Sequence, residues 1–415
     1  MKPGGLSRGM GDFHMKRLSP IHSAALAALL IALSLAVPQA RAGEFSGFVA
    51  AEARAFENPP LFPGQKRDTA SLALQPEYYR EQGSGSVTVV PFIRLDSADS
   101  ERSHFDIREL NYLWLGENWE MRLGLAKIFW GAAEFVHLVD IINQTDSVEA
   151  LDGEEKLGQP MLHFSSPMDA GIVDLFLLPW FRERTFPGRE GRLRYGPMIN
   201  PDMTRYESGA GEHHPDFAIR YSTRLGNGDL GIYQFRGTSR EPTLLAGLNS
   251  SGQPVLIPFY RQINQTGLDA QLAAGNWLWK LEALHRTGMG EGYSAAVGGA
   301  EYTLYSILES SLDLGLIGEL AYDDRRRQAT TPFENDAMLG LRLTVNDAAS
   351  TEFLAGLGQD LDSSARTLSI EASRRIGNRT RIIIEGTAFM DIPADDRLFS
   401  LRDDDFLQVT LACYF

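Results

Sequence analysis

The C-terminal segment of the chain alternates strictly between apolar side chains and a mixed set, up to its last residue. The apolar positions are Leu407, Val409, Leu411, Cys413 and Phe415, and the intervening positions are Gln408, Thr410, Ala412 and Tyr414. A period of two is typical of a β-strand whose two faces meet different surroundings. One face must meet lipid or a protein core, whereas the other meets a wetter environment. A strand of a soluble β-sandwich would also fit this segment taken alone.

Strict alternation that ends on Phe415 resembles the closing strand of a Gram-negative outer-membrane β-barrel. In that superfamily the assembly machinery of the outer membrane recognises a C-terminal aromatic residue. The resemblance therefore implies that Phe415 is an assembly signal. It also implies that the assembly machinery, the lipid bilayer and lipopolysaccharide are partners of the protein.

The N-terminal segment has the features of an export signal. Lys16 and Arg17 precede an apolar run over 24–37, which is followed by Ala40-Arg41-Ala42. A charged start, a run too short to span a bilayer comfortably and a small-x-small motif are typical of a cleaved signal peptide. We expect residues 1–42 to be removed after Ala42, with Met15 as the alternative true start, leaving residues 43–415 as one domain. An uncleaved membrane anchor is the competing interpretation.

Composition excludes several classes of function. The net charge of −15 at pH 7 would repel the phosphate backbone, so nucleic-acid binding is not expected. Cys413 is the single cysteine and cannot form an internal disulfide. The sequence has no phosphate loop, dinucleotide fingerprint or metalloprotease motif, so we predict neither cofactor nor metal and no enzymatic activity.

The rest of the chain has the pattern of a hairpin array. Short turns such as 83–85, 226–228 and 377–378 alternate with long gaps such as 57–68 and 182–214. This layout predicts an all-β fold, a transmembrane up-and-down antiparallel barrel with short periplasmic turns and long extracellular loops. We expect about 18 strands, an even number as in bacterial single-chain barrels, with about 16 as the fallback. The hairpin over 159–166 and 171–181 has the weakest pattern.

Charged residues recur on the face of the strands opposite the apolar face. We expect the following residues to point into the lumen: Arg94, Arg122, Lys280, Glu282, Arg286, Arg342 and Glu385. An unpaired charge in a dry core is costly, so charge repeated on many strands requires a water-filled interior. The outward positions, such as Leu339 and Leu341 beside Arg342, would then face lipid.

The long gap 130–158 is the candidate constriction. Phe135, Leu138, Val139 and Ile142 have helical spacing, which predicts a short amphipathic helix. The pore-facing candidates are Trp130, Glu134, Asp140, Asn143 and Asp146. We expect the loop carboxylates to face basic residues such as Arg94, Arg122 or Arg342. A solvated surface loop explains the same polar residues equally well.

This segment also resembles part of porin-like outer-membrane families that are uncharacterised. The matching residues are Leu123, Gly124, Trp130, Gly131, Asp140, Ile141 and Asn143. The resemblance is confined to this short stretch. Elsewhere the chain resembles the barrel superfamily in pattern only.

These observations favour a porin-like channel for small hydrophilic solutes, narrowed by the loop 130–158. One alternative is a barrel sleeve or exporter for a partner molecule, which would need a wide lumen. A further alternative is a barrel enzyme that hydrolyses lipid or peptide, which would need a Ser/His/Asp-type set at the rim. The inward charges are mixed and indicate neither an anion nor a cation filter. The apolar outer faces are compatible with a monomer and with a homo-oligomer.

Overall fold

Residues 43–415 are described by the structure, a computed structural model; the expected signal segment 1–42 lies outside them. The first strands along the chain are β1 (Glu44–Phe56), β2 (Thr69–Gln82), β3 (Gly85–Asp96), β4 (His104–Leu115), β5 (Glu120–Ala126), β6 (Gln159–Met168), β7 (Gly171–Leu178), β8 (Met198–Ile199), β9 (Arg205–Tyr206), β10 (Asp216–Leu225) and β11 (Gly228–Thr238). They are followed by β12 (Thr243–Leu248), β13 (Pro254–Tyr260), β14 (Gln262–Ala274), β15 (Trp277–Thr287), β16 (Tyr293–Ile307), β17 (Leu312–Asp323), β18 (Asn335–Val345), β19 (Thr351–Asp360), β20 (Arg366–Ile376), β21 (Thr380–Met390) and β22 (Phe406–Tyr414).

Eighteen of these strands form one closed antiparallel barrel. Each barrel strand pairs with the previous and the next one, and β1 closes the ring by pairing with β22, with Glu52 opposite Thr410. Beyond β22, the N–H groups of Gly47 and Phe415 donate to each other's carbonyl oxygens, at 3.2 and 3.0 Å. The ring of Phe415 stacks on Phe45 with centroids 5.6 Å apart. We call this closing pair of strands the seam.

The predicted all-β barrel and its 18 strands are confirmed, including the hairpin β6–β7. The alternating pattern also predicts one continuous strand over 258–274, and this prediction is wrong, because the structure divides the stretch between β13 and β14. β13 ends at Tyr260, and it pairs with β12, β8 and β9 in a separate small sheet. The sequence pattern gave no sign of this sheet, whose members are short and lie outside the barrel ring.

The two faces of the barrel strands differ as the alternation predicts. On β18, Leu339 and Leu341 are 63% and 49% exposed on the outer face. The next residue along the strand, Arg342, lies opposite Gly315 of β17, points to the other face and forms ion pairs inside the barrel. Tight turns join the strands at one end, and Gly226 and Gly377 adopt positive φ angles of 64° and 66° there, which favour glycine. No helix of residues 43–415 is long and apolar enough to cross a membrane.

The helix predicted within 130–158 is wrong. The residues between β5 and β6 form an irregular segment with no helical turn. The N–H groups of residues 132–135 bind carboxylates of the barrel strands instead of carbonyl groups four residues earlier, as a helix would require. Tertiary contacts thus replace the local hydrogen bonds that the apolar spacing suggested.

Candidate functional site

The segment 127–158, which we call the inner loop, lies against inward-facing side chains from both sides of the barrel. It contacts β3 and β4 through Asp146 and Glu149, and β15, β17 and β18 through residues 132–139. Because these contacts are made by inward-facing strand residues, the inner loop lies inside the barrel.

Asn143 holds the base of the inner loop. Its Nδ2 donates to the carbonyl oxygens of Ala126 and Leu157, each at 2.8 Å, and its Oδ1 accepts from the N–H of Ile128 at 2.8 Å. The side chain therefore joins the point where the chain leaves β5 to the point where it approaches β6. Asn143 is only 1% exposed. Its amide groups are used within the protein and face backbone, whereas the sequence placed them toward the pore.

Two carboxylates of the barrel strands bind the backbone of the inner loop. Glu282 of β15 accepts from the N–H groups of Ala132, Ala133 and Val139, at 2.7, 2.9 and 3.2 Å. Glu319 of β17 accepts from two successive N–H groups, those of residues 134 and 135, at 2.7 and 3.1 Å. The alternating pattern predicts Glu282 in the lumen, but it predicts neither the role of Glu282 nor Glu319 as a site residue.

Glu134 is one of two predicted pore residues that contact strand cations. Its Oε2 lies 3.0 Å from Nζ of Lys280 and 2.6 Å from Nη2 of Arg342. Arg342 also approaches Glu301 of β16, with Nε 3.4 Å from its Oε1. Glu134 thus sits between two cations on neighbouring parts of the inner face, and its charge is neutralised there.

On the opposite side, an ion-pair network joins the inner loop to β1, β3 and β4. Arg108 lies 2.7 Å from Asp146, and Arg94 lies 2.7 Å from Glu149 and 3.0 Å from Glu52. The loop carboxylate that Arg94 meets is therefore Glu149, which is not among the pore residues predicted from the sequence.

Asp146 is fully buried within this network. Burial alone would raise its pKa, but the neighbouring His104, Arg108 and Thr185 lower the pKa well below its usual value. The carboxylate consequently stays ionised at neutral and mildly acidic pH.

The arrangement of His104, Asp146 and Glu149 would suit a metal ion by distance alone, since their ligand atoms lie within 4.8 Å of one another. Both carboxylates, however, already form short ion pairs with arginines. A cation entering this group would meet two guanidinium charges. The group is accordingly part of the network that holds the inner loop.

Asp140 and Trp130 are also buried. Asp140 pairs with Lys156 of the same loop at 3.0 Å, and its side chain is 1% exposed. Trp130 packs on Phe176 and Tyr233, and Arg220 lies over its ring at 5.1 Å. These two predicted pore residues pack the loop in place, and neither projects into open water.

The remaining predicted lumen charges have separate environments. Arg286 pairs with Glu241 at 3.1 Å, and Glu385 accepts from Nε2 of Gln408 at 2.5 Å. The Nε of Arg122 is buried and has no hydrogen-bond partner among the residues that the structure describes.

A second long segment, 179–215, packs beside the inner loop. Arg192 pairs with Asp404 at 2.7 Å, and the N–H of Gly188 donates to Asp99 at 2.9 Å. Arg184 donates to Gln144 of the inner loop at 3.4 Å and to the carbonyl oxygen of Arg240 at 3.0 Å. This segment therefore connects the inner loop to the other long loops.

A cavity of about 610 Å³ lies between these segments and the inner wall of the barrel. It is lined by residues of several elements: Asp152 and Glu154 of the inner loop, Glu371 of β20, Glu385 of β21 and Arg194 of the segment 179–215. The lining thus carries charges of both signs, and the cavity has the dimensions of a small-molecule space.

Comparison with solved structures identifies the fold. A BenF-like porin from Pseudomonas fluorescens Pf-5 matches with a TM-score of 0.51 at 9% identity, covering 90% of this chain and 97% of the porin. OccAB3 of Acinetobacter baumannii matches with a TM-score of 0.52 at 9% identity, covering 90% of this chain and 99% of that chain. The chain therefore shares the closed antiparallel β-barrel fold of these structures.

A third similar structure extends this group. Wzi of Escherichia coli, a carbohydrate-binding β-barrel involved in group 1 capsule assembly, matches with a TM-score of 0.50 at 9% identity, covering 96% of this chain and 90% of Wzi. By sequence, the chain matches no protein-family model and no curated protein. At such low identities, the shared feature is the fold.

Proposed function

We propose that the protein is a channel of the outer membrane through which small hydrophilic solutes diffuse. The observation that carries this proposal is the inner loop, which lies inside the barrel beside a charged cavity of about 610 Å³. An apolar outer surface that carries exposed leucines, such as Leu339 and Leu341, supports a location in lipid. Export by a signal peptide cleaved after Ala42 belongs to this proposal.

The proposed narrowing differs in chemistry from the one that the sequence suggested. Glu134, Asp140 and Asp146 are each neutralised by a basic residue. Their replacement would break ion pairs and loosen the inner loop before it altered any long-range field. The solute instead meets cavity groups such as Glu371 and Glu385, which form no ion pair with a basic side chain of the described residues.

Planar-bilayer recording of the purified barrel tests the proposal. The wild-type protein should show discrete conductance steps, and deletion of residues 133–156 should raise the step size several-fold, because the deleted segment occupies the interior. Reversal potentials in a salt gradient would give the ion preference. Heat-modifiable migration on gels must first show that both proteins are folded.

A folded wild-type barrel and a folded deletion variant that both fail to conduct would contradict the channel. Equal conductance of the two proteins would show that the inner loop does not narrow the passage. A sleeve for a partner molecule needs a wide interior, and in this barrel the inner loop occupies that space. A sleeve filled by its partner would conduct only weakly, and the partner would remain bound during purification.

A further inference from the structure

Two buried carboxylates on the inner wall lack the cations that usually accompany them. Glu282 and Glu319 are 0% and 2% exposed, and within residues 43–415 neither forms an ion pair with lysine or arginine. Burial of an ionised carboxylate is costly unless hydrogen bonds replace its hydration. These two side chains therefore need donors from another part of the protein.

The inner loop supplies those donors from its backbone alone. Five N–H groups of residues 132–139 point to the two carboxylates. Successive backbone N–H groups form effective anion-binding concavities, and hydrogen bonds to ionised groups are stronger than neutral ones. The preceding Gly131 is required by the same contact, because a Cβ there would lie 2.9 Å from Oε1 of Glu282.

An independent feature holds the same part of the loop. Gly340 of β18 and Gly356 of β19 lie opposite each other in register. A Cβ on either glycine would lie 2.7 or 2.6 Å from the ring of Phe135. The two glycines thus form a notch in the inner wall, and the ring of Phe135 occupies it.

We infer that Glu282 and Glu319 are positioning residues that fix the inner loop against one side of the barrel and thereby set the width of the passage. The notch of Gly340 and Gly356 completes the attachment by seating Phe135. The anchoring part of this inference stands on geometry alone, whereas its effect on the passage rests on the proposed channel function.

The double variant Glu282→Gln, Glu319→Gln tests the inference. Glutamine keeps the shape of the side chain but offers one acceptor oxygen instead of two, and its NH₂ group faces a loop N–H that needs an acceptor. The matched control is Glu385→Gln, because Glu385 also faces the cavity but is hydrogen-bonded to Gln408 instead of to the loop backbone.

Two measurements on the folded barrel in detergent and in bilayers give the outcome. Amide hydrogen exchange of residues 132–139 should accelerate at least about tenfold in the double variant, as expected when charge-assisted hydrogen bonds are lost. Single-channel recordings of the double variant should show rapid current fluctuations that the wild type lacks. The remaining barrel amides should keep their exchange rates.

Each result has a distinct meaning. Unchanged loop exchange relative to Glu385→Gln would overturn the anchoring. Faster exchange with steady, unaltered current would overturn the claim that the anchors set the passage. Faster exchange in a protein that never conducts, even as the wild type, would refute the channel and leave the anchoring intact.

A second variant keeps the test decisive if the double variant does not fold. Phe135→Ala empties the notch without changing the barrel strands, and it should likewise accelerate exchange of the amides bound to Glu319. Unchanged exchange in this variant would also overturn the anchoring.

Discussion

The replacement Asn143→Ala should release the inner loop at its base. Asn143 makes three hydrogen bonds of 2.8 Å to backbone groups, and it is 1% exposed, so water cannot replace the amide without a rearrangement. Ala126 and Leu157 would each lose a donor to their carbonyl oxygen, and Ile128 would lose an acceptor for its N–H.

The expected magnitude follows from the count of these bonds. A hydrogen bond contributes about 0.5–1.5 kcal/mol net, and a buried polar group left without a partner costs about 1–3 kcal/mol. Partial rehydration reduces the sum, so we expect loop opening to become easier by about 2–5 kcal/mol. Since each 1.4 kcal/mol changes an equilibrium constant about tenfold, the population of the open loop should rise by about 30-fold to a few thousand-fold.

Limited trypsin digestion of the unboiled protein measures this population. Lys156 lies beside Leu157, is 12% exposed and is paired with Asp140 in the closed loop. Cleavage after Lys156 requires the loop to open, so its rate follows the open population when opening and closing are fast. The cleavage site would be identified by mass spectrometry of the fragments.

The matched control is Asn276→Ala. Asn276 also donates from Nδ2 to a backbone carbonyl oxygen, that of Thr303 at 2.9 Å, but it lies exposed in a tight turn. Its replacement should change cleavage after Lys156 by no more than about twofold, as surface substitutions usually do. A rate for Asn143→Ala that is no higher than that of the control would refute the reasoning.

Three further outcomes are expected. Leu341→Arg should destabilise the barrel by about 2–4 kcal/mol near the bilayer midplane, measured by urea unfolding in lipid, whereas Arg342→Leu should fold; equal stabilities would mean that the facing of this strand is wrong. Gly356→Val should displace the loop phenylalanine, since a Cβ lies 2.6 Å from its ring, and should accelerate exchange of the inner loop. Gly318→Val, where the nearest atom to a Cβ is 3.9 Å away, serves as its control, and similar exchange in both variants would exclude the notch. Deletion of Phe415 should lower the amount of assembled, heat-modifiable protein at equal synthesis, and unchanged assembly would show that the terminal aromatic residue is dispensable.

The fold could be predicted from local patterns because apolar and polar residues alternate along the barrel strands and so distinguish the two faces. Alternation at Leu339, Leu341 and Arg342, and glycine turns such as Gly226, are properties of neighbouring residues. An even number of strands then follows from the regular exchange of short and long gaps. The small sheet that contains β13 was not predicted, because its strands are short and pair with distant segments of the long loops.

The interior was harder to predict, because its contacts join residues far apart in the sequence. The helical spacing around Phe135 reflected a ring seated between Gly340 and Gly356, on strands about 200 positions away. Polar residues such as Asn143 and Asp140 suggested a wet surface, yet their partners lie in the loop itself or at its base. The pair Trp130-Gly131 was a local signal of these contacts, since the approach of Glu282 requires a glycine at position 131.

The seam between β1 and β22 has a consequence for biogenesis. The first barrel strand finds its second neighbour only in β22, more than 300 residues later, so β1 keeps one unpaired edge until β22 has been made and has paired with it. An unpaired strand edge is a template for aggregation, and contacts between the two ends of a chain form slowly. If the protein is exported as proposed above, the unfolded chain must be kept from self-association before the ring closes. A tag fused after Phe415 would hinder the pairing of β1 with β22, which closes the ring. A tag placed in a long loop would leave this pairing unchanged.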